Sequence, residues 1–245
     1  MTVMDQPFPA RDYSLTGPES AAAVEKGLAS AAWYHSDVPR KEMKALMRRS
    51  DQAADRDTLL WVGLLVLTGG LGVALWGSIW AVPFFLAYGV LYGSACDSRW
   101  HECGHGTAFK TEWKNDAVYH VASFMVMRNP IAWRWSHARH HTDTIIVGRD
   151  PEIAVMRPPD LVKLALKFVG LPDAYHDLKR LGQNAMSQLT TDEQEFIPNS
   201  ERPKAIYWAR VHVAIYVATV MAALIMWSWL PLLLIGGPRI YGCWH

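Results

Sequence analysis

Cysteine is scarce in this 245-residue chain, which contains only three. Cys96, Cys103 and Cys243 form no paired framework, so we expect no stabilising disulfides. Positive charge is not concentrated either, because the formal net charge is +1 and no Lys/Arg-rich block of the kind that binds nucleic acids occurs. The composition therefore gives no reason to expect a nucleic-acid partner.

One long stretch lacks charge altogether. From Thr58 to Cys96 there is no Asp, Glu, Lys or Arg. One bilayer crossing needs about 20 apolar residues, so this run is long enough for two. The Gly77-Ser78 step offers a turn, which predicts one span near 58–76 and a second near 79–96. The alternative is a buried hairpin in a soluble core, although soluble helices seldom stay uncharged for so long.

A second apolar run covers Val211 to Ile235, interrupted by His212 and Pro231. It predicts a third span, and the residues that follow predict the start of a fourth. Positive charges precede the first span, which by the positive-inside tendency places the N-terminus in the cytoplasm. They are Arg40, Lys41, Lys44, Arg48, Arg49 and Arg56. Two crossings then return the chain to the cytoplasm at Asp97.

These patterns predict an all-α, multi-pass integral membrane protein, in which transmembrane helical hairpins carry a cytoplasmic helical cap. Its expected parts are a cytoplasmic N-terminal segment with an interfacial helix (1–57), a transmembrane hairpin (58–96), a cytoplasmic region with interfacial helices (97–205), and a third span with the start of an incomplete fourth (206–245). Within them we expect an interfacial helix at 160–169. Residues 1–38 and 188–203 are expected to be loops.

Half of the ten histidines fall in two short clusters within the expected cytoplasmic cap. The first is HECGH, with His101 and His105, and the second is HARHH, with His137, His140 and His141. Spacings of three and four residues place side chains on one face of a helix. Imidazole-rich sites suit zinc, copper, iron or nickel, so the clusters predict a metal site without choosing its metal.

HECGH also satisfies H-E-x-x-H, the pattern of zinc proteases, in which two histidines bind zinc and the glutamate acts as general base. That interpretation uses His101, Glu102 and His105. It leaves the three histidines of the second cluster unexplained, because a protease of this type needs one further ligand. A membrane zinc protease is therefore the weaker alternative.

Both clusters resemble the histidine boxes of the membrane fatty acid desaturase superfamily. HECGHGTAF and the following Trp113-Lys114-Asn115-Asp116 are similar to the first box of acyl-lipid desaturases, and WSHARHHTDT is similar to the second. The resemblance extends over most of the chain from about Pro39. It implies four transmembrane helices and two iron ions (Fe2+/Fe3+) at the cytoplasmic face.

By the same resemblance, O2 is the co-substrate and a double bond is inserted into a lipid acyl chain, as an acyl-lipid or an acyl-thioester. Electrons would come from a ferredoxin or cytochrome b5 type donor. The resemblance also implies that the five box histidines are the iron ligands: His101, His105, His137, His140 and His141.

Other residues near the boxes are expected to have supporting roles. Glu102 is expected to orient a neighbouring group, and the carboxylates of Asp143, Asp150 and Glu152 are candidates to accept an N–H from a ligand imidazole. Trp133 and Trp135 are expected to be interfacial anchors, and the alternative is that they line an acyl tunnel. The isolated histidines His35, His120, His176 and His212 are expected to be structural.

The chain departs from the superfamily in two respects, because it has neither a third histidine box after the expected fourth span nor the further ligating histidine near that span. We therefore expect a C-terminally truncated chain that by itself binds iron weakly and lacks activity. Hydroxylases and alkane monooxygenases share histidine-box chemistry, so either of these enzyme classes is an alternative to a desaturase. A non-enzymatic membrane protein that retains a decayed site is a further alternative.

Overall fold

The computed structural model describes residues 11–30, 32, 34–167 and 170–242. Over these residues the chain is helical and has no strand, which confirms the all-α prediction for the described part. The helices are α1 Pro18–Glu25, α2 Arg40–Leu46, α3 Asp51–Ala74, α4 Ala81–Gly93, α5 Ala95–Gly104, α6 Glu112–Met125, α7 Pro130–Asp143, α8 Leu161–Lys167, α9 Leu171–Ala185, α10 Thr191–Phe196, α11 Arg202–Ile225, α12 Leu230–Leu234 and α13 Gly237–Tyr241, with a 3-10 turn at Leu28–Ser30.

Two helical stretches in the described part are long and apolar enough to cross a membrane. One is Arg40–Ala74, whose apolar portion lies in α3, and the other is Arg202–Ile225, which is α11. Large apolar side chains on both are exposed, among them Leu59 at 72% and Ile225 at 79%. Exposed apolar surface of this extent favours contact with lipid over a buried soluble hairpin.

The region expected to form the second span, 79–96, is divided in the structure. Helix α4 has 13 residues, and Ser94 separates it from α5. At a rise of about 1.5 Å per residue, such a helix covers roughly 20 Å, less than the bilayer core of about 30 Å. The uncharged run was therefore correctly assigned to helix, but its last residues already belong to the helix that carries the first histidine cluster.

Two segments expected to be loops contain helices, so those expectations were wrong. Helix α1 begins with Pro18, a residue suited to the first turn because its missing N–H has no intrahelical acceptor there. Helix α10 begins with a capping box, in which the Thr190 side chain accepts from the Glu193 N–H and the Glu193 carboxylate accepts from the Thr190 N–H. The T-x-x-E pattern at 190–193 is the local signal for the start of this helix.

The helix expected at 160–169 is present as α8, residues 168 and 169 lie outside the described part, and the interfacial position of this helix stays a prediction. Gly170, at φ 70°, then reverses the chain into α9. The expected third span at 211–235 is shifted, since α11 ends at Ile225 and Pro231 lies in the first turn of α12. Residues 243–245, including Cys243, lie outside the described part.

The main core joins the start of α3 to the helices that carry the first histidine cluster. Trp61, Trp100 and Tyr119 are buried together, and the indole N–H of Trp61 donates to the Leu91 carbonyl at 2.8 Å. At the polar end, Asp51 accepts from the N–H (2.9 Å) and hydroxyl (2.5 Å) of Thr111. These contacts fix α5 and α6 against the polar end of α3.

Candidate metal centre

The first histidine cluster lies at the C-terminal end of α5. His101 and His105 are four residues apart, and their ring centroids are 4.7 Å apart. The loop that follows is fixed by Asn115, which is 2% exposed and bonds both the N–H (3.0 Å) and the carbonyl (2.9 Å) of Phe109. Arg49 also donates to the Gly106 carbonyl. The position of the cluster is thus set by contacts on both sides of the loop.

The second cluster lies on α7, whose start is defined by the Asn129-Pro130 pair. The Asn129 side-chain oxygen accepts from the N–H groups of Ile131 (3.1 Å) and Ala132 (3.2 Å), and its amide donates to the Ala205 carbonyl of α11 at 2.9 Å. Such an N-cap satisfies donors at the helix end that have no intrahelical partner. It also anchors α7 to a candidate membrane helix.

The two clusters meet. His137 Nε2 lies 3.1 Å from His105 Nε2 and 3.1 Å from His141 Nε2. Ligand atoms of His101, His105 and His137 all lie within 4.8 Å of one another. The His140 ring stands 5.5 Å from that of His137 and 5.6 Å from that of His141, measured between centroids. The structure therefore brings all five predicted histidines into one cluster.

Two carboxylates hold the outer nitrogens of this cluster. Glu152 Oε2 lies 2.6 Å from His137 Nδ1, and its other oxygen accepts from the Ser136 hydroxyl at 2.6 Å. Asp150 lies 2.9 and 3.0 Å from His140 Nδ1. A carboxylate at Nδ1 favours the tautomer with hydrogen on that nitrogen, which leaves the Nε2 lone pair for a metal.

The other two predicted carboxylates are placed differently. Asp143 contacts no imidazole among the described residues. Its side chain is 1% exposed, accepts a hydrogen bond from Arg139 Nε at 2.5 Å and forms an ion pair with Arg149 Nη2 at 3.1 Å, because a buried carboxylate needs compensating charge. Glu102 is 59% exposed, lies 3.6 Å from His101 Nδ1, and accepts from the Thr107 hydroxyl at 3.2 Å.

Trp133 has a place that the sequence did not indicate. Its ring stacks on the His137 imidazole at 4.3 Å with an interplanar angle of 17°, and it contacts Trp100 at 3.8 Å. Gly104 makes this approach possible, because a Cβ there would lie 2.4 Å from Cζ3 of Trp133. Trp133 is therefore packed against the histidine cluster, whereas Trp135 is 37% exposed.

Adding a methyl group at Gly104 tests this packing. We expect Gly104→Ala to lower the free energy of unfolding by about 1–3 kcal/mol, because the ring of Trp133 must move. Gly182→Ala in α9 is the matched control, since its Cβ would meet nothing within 4 Å. The control should be neutral or stabilising by up to about 1 kcal/mol. Thermal unfolding in detergent measures both, and equal effects would contradict the packing argument.

Two histidines of the cluster, His105 and His137, favour the neutral form that binds metals. The pKa of His137 lies below its ordinary value because burial disfavours the charged ring, although Glu152 acts in the opposite direction. The pKa of His105 is also lowered, first by desolvation against the neighbouring rings and then by the charges of His101, His137 and His141. Neither ring needs to lose a proton before it binds a metal near neutral pH.

The donor set fits a nitrogen-rich transition-metal site. Nε2 of His137 lies 3.1 Å from Nε2 of His105 and from Nε2 of His141, and Nδ1 of His137 faces a carboxylate. Imidazole donors suit iron, zinc and copper alike. The described residues that could hold such an ion are His101, His105, His137, His140 and His141.

Comparison with known proteins finds a family whose match covers both histidine clusters. A family model described as "Fatty acid desaturase" matches residues 77–244. Among curated proteins, the Delta(12)-acyl-lipid-desaturase of Punica granatum is 30% identical over 106 residues. The Omega-6 fatty acid desaturase, endoplasmic reticulum isozyme 1, of Glycine max is 33% identical over 88 residues, and the sn-1 oleoyl-lipid 12-desaturase of Synechocystis sp. is 30% identical over 88 residues.

These alignments are partial. They cover 43%, 35% and 34% of this chain and 26%, 22% and 25% of the three relatives, in the same order. The matched part thus spans about a quarter of the length of these relatives. No solved structure matches the chain.

Proposed function

The chain belongs to the fatty acid desaturase family, and we propose that it is a membrane desaturase that uses O2 and a histidine-bound iron pair to insert a double bond into a lipid acyl chain. The observation that carries this proposal is the convergence of both histidine clusters, with Glu152 and Asp150 at their outer nitrogens. The family match confirms the resemblance drawn from the boxes.

The residues of the cluster have distinct roles in this proposal. His101, His105, His137, His140 and His141 hold the two iron ions. When bound, iron supplies the activation of O2 and the oxidising power to remove hydrogen from an unactivated C–H bond. Glu152 and Asp150 keep His137 and His140 in the ligating tautomer. Trp133 covers one face of His137 and keeps water from it.

Residence in a membrane follows from the substrate and from the two candidate membrane helices. An acyl chain in the bilayer reaches a site at the membrane surface without crossing water. In this proposal the hairpin at 58–96 and the third span anchor the protein, and the region 97–205 forms the cytoplasmic cap. The basic residues before α3 lie on the same, cytoplasmic side.

The relatives narrow the substrate class. Their names specify acyl-lipid, oleoyl-lipid and position 12, so we assign the reaction to carbon 12 of a lipid-bound acyl chain. Forming one double bond releases two protons and two electrons, whereas reducing O2 to two waters takes up four protons and four electrons. The remaining two electrons come from a ferredoxin or cytochrome b5 type donor, and two protons come from solvent.

The fatty-acid profile of a host tests this function. The gene that encodes this chain, at its full reading frame, would be expressed in a host that makes monounsaturated but no diunsaturated acyl lipids. We expect new diunsaturated acyl chains with the second double bond at carbon 12, measured by gas chromatography and mass spectrometry. A protein carrying both His137→Ala and His140→Ala is the control and should give none.

Other results would contradict particular parts of the proposal. New hydroxylated acyl chains would show that the protein inserts oxygen into the acyl chain and does not form a double bond. An unchanged profile, together with iron-free purified protein, would overturn the enzyme assignment.

A further inference from the structure

The segment that follows α7 carries both carboxylates to the histidines. We call residues 144–152 the strap. Asp150 organises it from within, since its oxygens accept from the N–H groups of Ile145 and Glu152, each at 2.8 Å. The same carboxylate meets His140, and Glu152 meets His137. The path of the strap therefore decides whether the outer nitrogens of both rings have their partners.

The strap is held in a conformation that its own residues do not favour. Ile145 has φ 66°, a region that β-branched residues rarely occupy, and it is 77% exposed, so burial of its side chain does not compensate. Gly148, at φ 77°, passes so close to α1 that a Cβ there would lie 2.6 Å from the backbone nitrogen of Ser20. Contacts from outside the strap must therefore add to the hydrogen bonds that Asp150 makes within it.

One such contact is a buried ion pair between the strap and the helix before it. Arg149, the residue next to Asp150, places Nη2 3.1 Å from the Asp143 carboxylate at the end of α7. Asp143 is 1% exposed and is also paired with Arg139 on α7. A buried carboxylate is stabilised by neighbouring cations, so Asp143 favours the arrangement in which Arg149 of the strap joins Arg139 against it.

We propose that Asp143 and Arg149 are positioning residues of the metal centre. By tying the strap to α7, their ion pair places Asp150 on His140 and Glu152 on His137, and so sets the tautomers of two ligands that the ion pair itself does not touch. This role rests on the proposed function, because it matters only if the histidines bind metal. It also explains why Asp143, unlike Asp150, faces away from the imidazoles.

The test compares Arg149→Met with Arg149→Lys and Asp143→Asn in the purified protein of the full reading frame. Fe2+ affinity is measured by competition with a chelator, well below the unfolding temperature. Loss of partners behind metal ligands costs about 10–100-fold in affinity, and we expect Arg149→Met and Asp143→Asn to fall in this range. Arg149→Lys keeps the charge and should recover part of the loss.

A control and a second measurement separate positioning from general stability. Arg134→Met removes an arginine of α7 whose partner is the exposed Asp116, at 2.8 Å, and should leave Fe2+ affinity within about twofold. Hydrogen exchange of the Ile145 and Glu152 amides, measured without iron, should become faster in Arg149→Met but not in Arg134→Met. These two amides report the strap directly, because both donate to Asp150.

The outcomes distinguish this inference from the function on which it rests. If the unmodified protein binds Fe2+ and Arg149→Met binds it equally well, the positioning role is overturned and the metal centre stands. If Arg149→Met does not fold, an unchanged affinity in Asp143→Asn and Arg149→Lys overturns the role, and a weakened affinity in Asp143→Asn supports it. If the unmodified protein binds no Fe2+, the metal centre is overturned and the positioning role falls with it.

Discussion

Replacing His137 by alanine should lower the affinity for Fe2+ by more than about 100-fold and abolish double-bond formation. Loss of a group behind a metal ligand already costs up to about 100-fold, and this change removes the ligand itself. His137 is also central, because its Nε2 lies 3.1 Å from the Nε2 atoms of both His105 and His141. Iron per chain and chelator competition measure the first effect, and the acyl product measures the second.

His35→Ala is the matched control for this experiment. His35 is exposed and lies outside the helices of the cluster, so its removal should leave iron binding and product unchanged. The smaller side chain at position 137 also removes the surface on which Trp133 stacks. A thermal unfolding curve is therefore needed, and full iron binding by a folded His137→Ala protein would rule out the assigned ligand set.

Replacing Asp150 by asparagine should weaken Fe2+ binding by about 10–100-fold with little change in side-chain volume. The Asp150 carboxylate is 3% exposed and accepts from His140 Nδ1 and from the N–H groups of Ile145 and Glu152. An asparagine has one acceptor oxygen, so its NH2 group would face one of these donors. His140 would then lose its preferred tautomer, or the strap would lose its shape.

Asp160→Asn is the control for the charge change, because Asp160 is an exposed carboxylate that caps the start of α8 and is remote in sequence from the histidines. Its effect on Fe2+ affinity should be negligible. Chelator competition and the rate of O2-dependent product formation measure both proteins. Equal affinities for Asp150→Asn and the unmodified protein would show that the contact with His140 has no influence on the metal.

The two kinds of carboxylate near the second cluster could not be separated from sequence. Asp143, Asp150 and Glu152 all follow HARHH within a few residues, and each has the chemistry to accept from an imidazole. The path of the strap decides between them: its turns bring Asp150 and Glu152 back over α7, whereas Asp143 faces two arginines. This path depends on contacts with α1 and α7 that no local pattern encodes.

The sequence by itself determined the features that depend on neighbours along one helix. The uncharged run predicted helices, and spacings of three and four placed the histidines of each cluster on one face, because helix geometry relates residues that are close in the chain. The family model matches residues 77–244, a range that contains both boxes. The helix break at Ser94 and the helices α1 and α10 were missed, although the capping box of α10 is a local signal.

Only the tertiary structure decided how the two clusters meet and what surrounds them. His105 and His137 are 32 residues apart in the chain, yet their Nε2 atoms are 3.1 Å apart. The stacking of Trp133 on His137 requires Gly104 from another helix, and the ion pair of Asp143 with Arg149 requires the strap to turn back. Such contacts form when separate elements pack, so their partners cannot be deduced from spacing within either element.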